Sequence, residues 1–393
     1  MKLFTEYPEK DELKYYAFMS ALVQRRMENL YGDEKKELAK RDTHAKTHAA
    51  VQGTLEIFDF DEALIKQEFN KHASLTESQL AAISLKQGLF ATAKQYPVWL
   101  RFANGGFTVK NDYQPDTRSM AIKVMGVEGE RLPESHELKT QDIIVHNTEI
   151  FFVKTIKDFY GFFSAVYRGG LYPLLKLSPL IWLLLHPREF SYLKNGTQVT
   201  PKSLLTSRYW SASAFSLGLK SDFNPTQTSQ VPVEYPAVIK YSFTPVASQS
   251  PHQQLACPVR PESEIKRAKT SGAKDNYYRE DLIQALAKTD AEYSWDFQIQ
   301  LQTKPEMPID DTTIAWNEEE AAFFTIGRLT VKHQKVKSPQ EDDFGENLRF
   351  SVWNGLAVHR PVGAINRLRS IVYPIVAEYR HKKRGVKYQE PTV

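Results

Sequence analysis

The chain has 393 residues, enough for one large domain or two ordinary ones, and its 41% hydrophobic and 25% charged residues exclude a disordered or fibrous protein. Basic residues exceed acidic ones by only four and are spread along the chain, which argues against a nucleic-acid partner. Cys257 is the single cysteine, so an internal disulfide and a cysteine metal cluster are excluded and a reducing, cytoplasmic compartment fits.

The opening MKLFTEYPEKDELKYY lacks the apolar core of a signal peptide. Residues 1–40 read as a charged helical arm, with Tyr15, Phe18, Met19, Leu22 and Val23 forming a 3.6-residue stripe, and residues 41–393 read as one domain. Strand-like runs follow at Thr54–Phe60, Val98–Ala103, Ser119–Val124 and Ile143–Val153, then at Ala237–Thr244, Trp295–Gln302 and Thr325–Lys332. Helical patterns lie at Glu77–Phe90, Ile156–Tyr167, Arg279–Thr289 and about Ala364–Lys383, while Lys220–Pro236 reads as a connecting loop. Irregular spacing and long inserts disfavour a plain sandwich. An α+β fold, with a closed antiparallel β-barrel core, helical insertions and C-terminal helices, fits better. The apolar stretch Leu171–Leu185 is broken by Pro173, Lys176 and Pro179, and falls short of the roughly 20 residues that span a bilayer. It reads either as a buried or oligomer-facing helix pair, or as a membrane-lying patch at the mouth of a lipid site.

Four segments can carry chemistry. In Arg41-Asp-Thr43-His44-Ala-Lys46, a histidine just before a strand can serve as a general acid or base, with His48 as a rival. In Val98–Asn104, Arg101 sits among apolar and aromatic residues and either points to water or meets an anion. In His146-Asn147-Thr148, the Asn147 amide is either a turn residue or a group that orients a bound oxygen. Phe159, on the following helical pattern, is by default a core aromatic. Near the C-terminus Arg369, Tyr373 and Arg380 fall on one helical face, where two guanidiniums would lower the phenol's pKa, although Pro374 should kink that helix. A basic amphipathic surface helix is the other reading of the same spacing.

Taken together and in this order, the four segments resemble the catalase superfamily. The distal Arg-x-x-His-Ala-Lys, the propionate-binding Arg-Phe, the Asn-Thr-x-Ile-Phe-Phe and the Arg-x-x-x-Tyr-Pro motifs match Arg41–Lys46, Arg101-Phe102, Asn147–Phe152 and Arg369–Pro374. The resemblance implies a b-type haem with Tyr373 as iron ligand. It implies Arg369 as that ligand's charge partner, Arg41, Arg101 and Arg380 at the propionates, and Phe159 packed on the distal face. His44 would then take and return a peroxide's proton while Asn147 polarises the outer oxygen. Thr43, where full catalases usually carry Val, resembles the coral allene oxide synthase branch, in which the hydroxyl restrains the histidine. The segment Asn354–Gly363 is similar to that of small bacterial catalase-related proteins. Three functions follow as expectations. The first is a haem peroxidase acting on hydrogen peroxide or small organic hydroperoxides. The second is a fatty-acid hydroperoxide isomerase or lyase, and the third a non-catalytic haem-binding or sensing protein. The resemblance also allows a homodimer formed through the N-terminal arm, and peripheral membrane contact through residues 171–185.

Overall fold

A computed structural model describes residues 2–33, 35, 38–171, 175–219, 232–246, 259–336 and 343–392. In chain order the first half contains β1 (Thr5–Glu6), α1 (Glu12–Tyr31), β2 (Thr47–Ile57), α2 (Glu62–Ala73), α3 (Glu77–Ala82), β3 (Lys94–Asn104), β4 (Arg118–Met125), β5 (Thr140–His146), α4 (Ile156–Leu171), α5 (Ser178–Leu185) and α6 (Pro187–Gln198). The second half contains β6 (Tyr209–Trp210), β7 (Ala214–Ser216), β8 (Val233–Glu234), β9 (Val238–Val246), α7 (Glu262–Thr270), α8 (Tyr277–Leu286), β10 (Glu292–Leu301), β11 (Phe323–Lys332), α9 (Asp343–Asn347), β12 (Pro361–Val362) and α10 (Ala364–Arg384).

The expected α+β barrel is present. Strand β10 pairs antiparallel with β11 on one side and β9 on the other, so the sheet closes through eight strands in the order β2-β3-β4-β5-β6-β9-β10-β11. Closure removes the free edges that an open sheet must protect. It also gives each strand an inner and an outer face. Leu100, Phe102, Met120, Ile122, Ile143 and Val145 belong to the large buried core. The residues between them in sequence, including Arg101, Ser119, Lys123, Asp142 and His146, lie on the opposite face because side chains alternate along a strand.

A helical layer covers that outer face. Tyr16, Met19, Val23 and Met27 of α1 share a second apolar cluster with Phe159, Phe162, Phe163 and Tyr167 of α4 and Leu368 of α10. The N-terminal segment is thus packed on the body of the molecule, and β1 is paired with β8.

Several boundaries differ from the sequence reading. The pattern at Glu77–Phe90 is a short helix, α3, followed by a separate 3-10 turn at Gly88–Phe90, because the backbone turns extended at Ile83 (φ −80°, ψ 123°) and ends the helix there. The run Ile143–Val153 leaves the sheet after His146. The strand expected at Thr54–Phe60 instead begins at Thr47 and ends at Ile57. Helix α10 runs unbroken through Pro374. Of the stretch from 171 to 185, none of residues 175–185 is buried. Leu177, Leu180, Ile181, Leu184 and Leu185 are all exposed, and residues 172–174, with Pro173, lie outside the described residues, as do Cys257 and residues 220–231 of the expected loop. Among the described residues, no helix is long and apolar enough to cross a membrane.

The outer face is fixed to the C-terminal region by a buried ion network. Lys123 of β4 donates to Glu137 and, at 2.7 Å, to Asp142 of β5. The second Asp142 oxygen accepts from the Ser351 amide (2.8 Å) and the Asn354 side chain (3.0 Å), while the Tyr388 and Thr140 hydroxyls donate to Glu137. Lys123 and Glu137 are fully buried. Removing the ammonium strands two carboxylates in a low-dielectric setting. Lys123→Met should therefore lower the unfolding free energy at neutral pH by about 3–5 kcal/mol in chemical denaturation.

Candidate active site

Between the outer face of β3–β5 and the helical layer lies a cavity of about 390 Å³. Strand register builds one wall: Arg101 pairs with Ala121, Ala121 with Ile144, and Ser119 with His146. Helices α1 (Met19, Val23), α4 (Phe159, Phe162, Phe163), α6 (Tyr192, Leu193) and α10 (Leu368, Arg369, Val372, Tyr373, Val376, Arg380) supply the others. The α10 positions recur three and four residues apart, so they share one face of the helix.

Of the residues singled out in the sequence, Arg41, Thr43, His44, Arg101, Phe159, Arg369, Tyr373 and Arg380 all line this cavity. Asn147 does not. Its side-chain oxygen accepts from the Arg118 backbone amide at 2.6 Å and its backbone N–H donates to the Arg118 carbonyl at 2.8 Å, which clamps the end of β5 to the start of β4. The preceding residue, His146, is the one on the cavity wall, with its ring centroid 5.4 Å from that of His44.

His44 follows a loop drawn in by Gly105 and Gly106, whose carbonyls accept from the amides of His44 (3.2 Å) and Ala45 (3.3 Å). Its φ of 56° is rare for a residue with a side chain and costs about 1–3 kcal/mol. The imidazole is oriented by Ser119, not by Thr43. Ser119 Oγ lies 2.8 Å from His44 Nδ1 and 3.2 Å from the carbonyl of Ala103. A carbonyl can only accept, so the serine hydrogen goes to Ala103 and the serine oxygen accepts from His44 Nδ1–H. That tautomer leaves His44 Nε2 with a free lone pair. Burial first, then His146, Arg101, Arg369 and Arg41, hold the His44 pKa well below its usual value. Burial and Arg369 bring that of His146 down to about 3. Both rings are therefore neutral at physiological pH, and the buried Nδ1 of His146 has no hydrogen-bond partner.

Positive charge gathers at the opposite end. Arg41, Arg101 and Arg380 surround Glu346, which the sequence reading did not single out. Burial opposes its ionisation, but Arg41 and Arg101 outweigh that and hold its pKa down to about 2. Arg41 lies 3.5 Å from Glu346 and donates to the Leu348 carbonyl (2.7 Å), which also accepts from Arg380 (3.1 Å). Arg101 donates to the His44 carbonyl (2.8 Å) and to Thr47 Oγ1 (2.6 Å). Burial, then Arg41, depresses the pKa of both Arg101 and Arg380, and the Nε atoms of both are buried without partners. Three guanidiniums against one carboxylate, with orphaned donors, form a cradle suited to a dianionic group. Arg369, at the other end of the α10 face, donates to Ser213 (3.1 Å) and Asn366 (3.0 Å) beside Tyr373.

Apolar rings close the rest. Phe159 stacks on Phe163 with centroids 4.1 Å apart and lies 5.9 Å from Phe151. Asp42, next to Thr43, accepts from Arg26 of α1 (2.7 Å) and from the Tyr167 hydroxyl of α4, and so ties both helices to the His44 loop.

The fold is similar to that of catalases of known structure. These include a fungal catalase (TM-score 0.61, 17% identity, covering 90% of this chain and 61% of that one), a bacterial catalase (0.54, 17%, 91% and 60%) and catalase A from Saccharomyces cerevisiae (0.58, 15%, 92% and 67%). This chain thus spans between 60% and 67% of their lengths. At 15–17% identity the likeness is one of fold. No family model matches the sequence, and no curated protein does.

The depressed histidines make stability depend on pH. A base whose folded pKa lies below its unfolded value adds stability above the unfolded pKa, and loses it as pH falls from about 6.5 towards the folded pKa. The protein should weaken steadily from pH 6.5 to pH 4, and His146→Gln should flatten that slope by about 1 kcal/mol per pH unit, measured by urea unfolding at each pH.

Proposed function

We propose that this protein is a haem-dependent peroxide-activating enzyme. The observation that carries the reading is one cavity holding a base-competent His44, a facing Tyr373 and a cationic cradle with unpartnered donors. The residues fit a b-type haem: Tyr373 as iron ligand with Arg369 beside it, Arg41, Arg101 and Arg380 at the propionates, and Phe159 against the ring. When bound, haem would supply the redox-active ferric iron on which a peroxide bond is split.

The chain's own residues would do the proton work. His44 Nε2, lone pair outward, accepts the proton of the entering hydroperoxide and holds it as imidazolium. The same proton is then returned to the outer oxygen, which leaves as water or an alcohol. Ser119 keeps the ring in place through this cycle by accepting from Nδ1–H. The task that the motif resemblance gives to Asn147, contact with the outer oxygen, passes to His146, because His146 lines the cavity whereas Asn147 does not and its side-chain oxygen is taken by the Arg118 amide. The aromatic wall from α4 and Phe151 excludes water and keeps the imidazoles neutral between turnovers.

A second reading, an organic or lipid hydroperoxide isomerase or lyase, is favoured by that same wall. Phe151, Phe152, Phe159, Phe162 and Phe163 line the cavity together, and such a lining suits an apolar chain better than hydrogen peroxide alone.

Protein produced with a haem supply should show a stoichiometric ferric Soret band, and Tyr373→Phe should lose or shift it. His44→Ala should keep the haem and lower peroxide turnover by about 10²–10⁴-fold. Oxygen release from hydrogen peroxide would mark catalase chemistry, and loss of diene absorbance from a fatty-acid hydroperoxide without oxygen would mark the isomerase. A protein with full turnover after His44→Ala would end the proposal. In the same assay His146→Ala should cost more turnover than Asn147→Ala, and the reverse order would return the distal role to Asn147.

A further inference from the structure

We propose that the outer face of α5 and α6 docks on an anionic phospholipid surface. In α5, Leu177, Leu180, Ile181, Leu184 and Leu185 recur at i, i+3, i+4, i+7 and i+8 and are 48–74% exposed. A helix of a globular protein ordinarily turns such a stripe towards the core. Here the core side of α5 is already taken by Trp182, which stacks on His186 at 3.8 Å and packs on Phe162 of α4 at 5.5 Å. The fit against α4 is close enough that a Cβ on Gly161 would come within 2.7 Å of the Trp182 ring. The stripe therefore cannot turn inward without unpacking Trp182. Phe190, exposed on α6, extends the apolar face.

Charge identifies the occupant. Between residues 168 and 198 the basic side chains are Arg168, Lys176, Arg188 and Lys194, all exposed, and Glu189 is the one acid. An apolar stripe rimmed by cations matches the interface of an anionic bilayer, where leucines enter the acyl boundary and lysines meet headgroups. A second copy fits worse, because a two-fold pairing would set each basic rim against its own copy. On its inward side α6 presents Tyr192, Leu193, Gly196 and Thr197 to the cavity, so docking would bring that wall of the cavity next to lipid. The inference concerns the outer face alone and does not rest on the peroxide reading.

The test is flotation of the full-length protein with vesicles of phosphatidylglycerol mixed with phosphatidylcholine, against phosphatidylcholine alone, with light scattering in parallel. The protein should float with the anionic vesicles and fall away as salt is raised. Leu180→Ser/Ile181→Ser/Leu184→Ser and Lys176→Glu/Arg188→Glu/Lys194→Glu should each reduce binding by about tenfold or more, with unchanged thermal melts because all six side chains are exposed. The single change Leu184→Ser, at a position 64% exposed, gives the same direction should the triple variant fold poorly. Three results would overturn the proposal: wild-type protein that stays unbound, binding indifferent to both sets of changes, or a serine variant that only converts a dimer to a monomer.

Discussion

The arrangement depends on positive charge sealed between a barrel and its helical cover. Three guanidiniums share Glu346, and a fourth, Arg369, stands beside the tyrosine further along α10. Buried guanidinium donors left unpaired, as the Nε atoms of Arg101 and Arg380 are, rank among the costlier features that a protein can hold. The same charges act on the imidazoles. Burial first, then His146, Arg101 and Arg369, disfavours a proton on His44.

Barrel closure puts these groups in register. Arg101, Ser119 and His146 come from three successive strands, and their side chains reach one wall because each occupies the outward phase of its strand. A slip of one residue in any of these strands would send the polar group into the apolar interior and an aliphatic one into the cavity. The Lys123 network lies on the same outward phase, two to four residues from Ala121 and Ser119, and holds β4 against β5 and the C-terminal segment. The core thus fixes the positions of the site residues, and the outward side chains supply their chemistry.

Much of this was legible in the sequence, and the failures have physical causes. Seven of the eight barrel strands announced themselves as β-branched and aromatic runs, while the two-residue β6 was too short to stand out. Eight of the nine selected site residues reach one cavity, although they come from positions 41 to 380. Asn147 is the selected residue that does not line the cavity, while its neighbour His146 does. The motif attracts attention to the asparagine, but strand phase is set by the pairing Ser119 with His146, which a single sequence does not reveal. Ser119 and Glu346 were missed because an isolated polar residue in a strand or a one-turn helix carries no periodic signal, and Glu346 lies 245 positions along the chain from Arg101. For Leu171–Leu185 the sequence left burial and a membrane-lying patch as alternatives, because hydrophobicity alone does not show that Trp182 and Leu183 take the inner face of α5 and leave Leu180, Ile181, Leu184 and Leu185 outside.

The backbone at His44 shows how the arrangement is held together. A residue with a side chain in the left-handed region stores strain of about 1–3 kcal/mol, which the surrounding contacts must outweigh. Here the opposing contacts are specific. The amides of His44 and Ala45 reach glycine carbonyls, Arg101 grips the His44 carbonyl, and Ser119 holds the ring. Arg101 therefore serves both ends, since one of its terminal nitrogens fixes the histidine backbone while its Nε is left unpartnered beside the anion cradle. An anion that engaged Arg101 would pull on the residue that positions the base. One side chain thus links the guanidinium cluster to the strained backbone of His44.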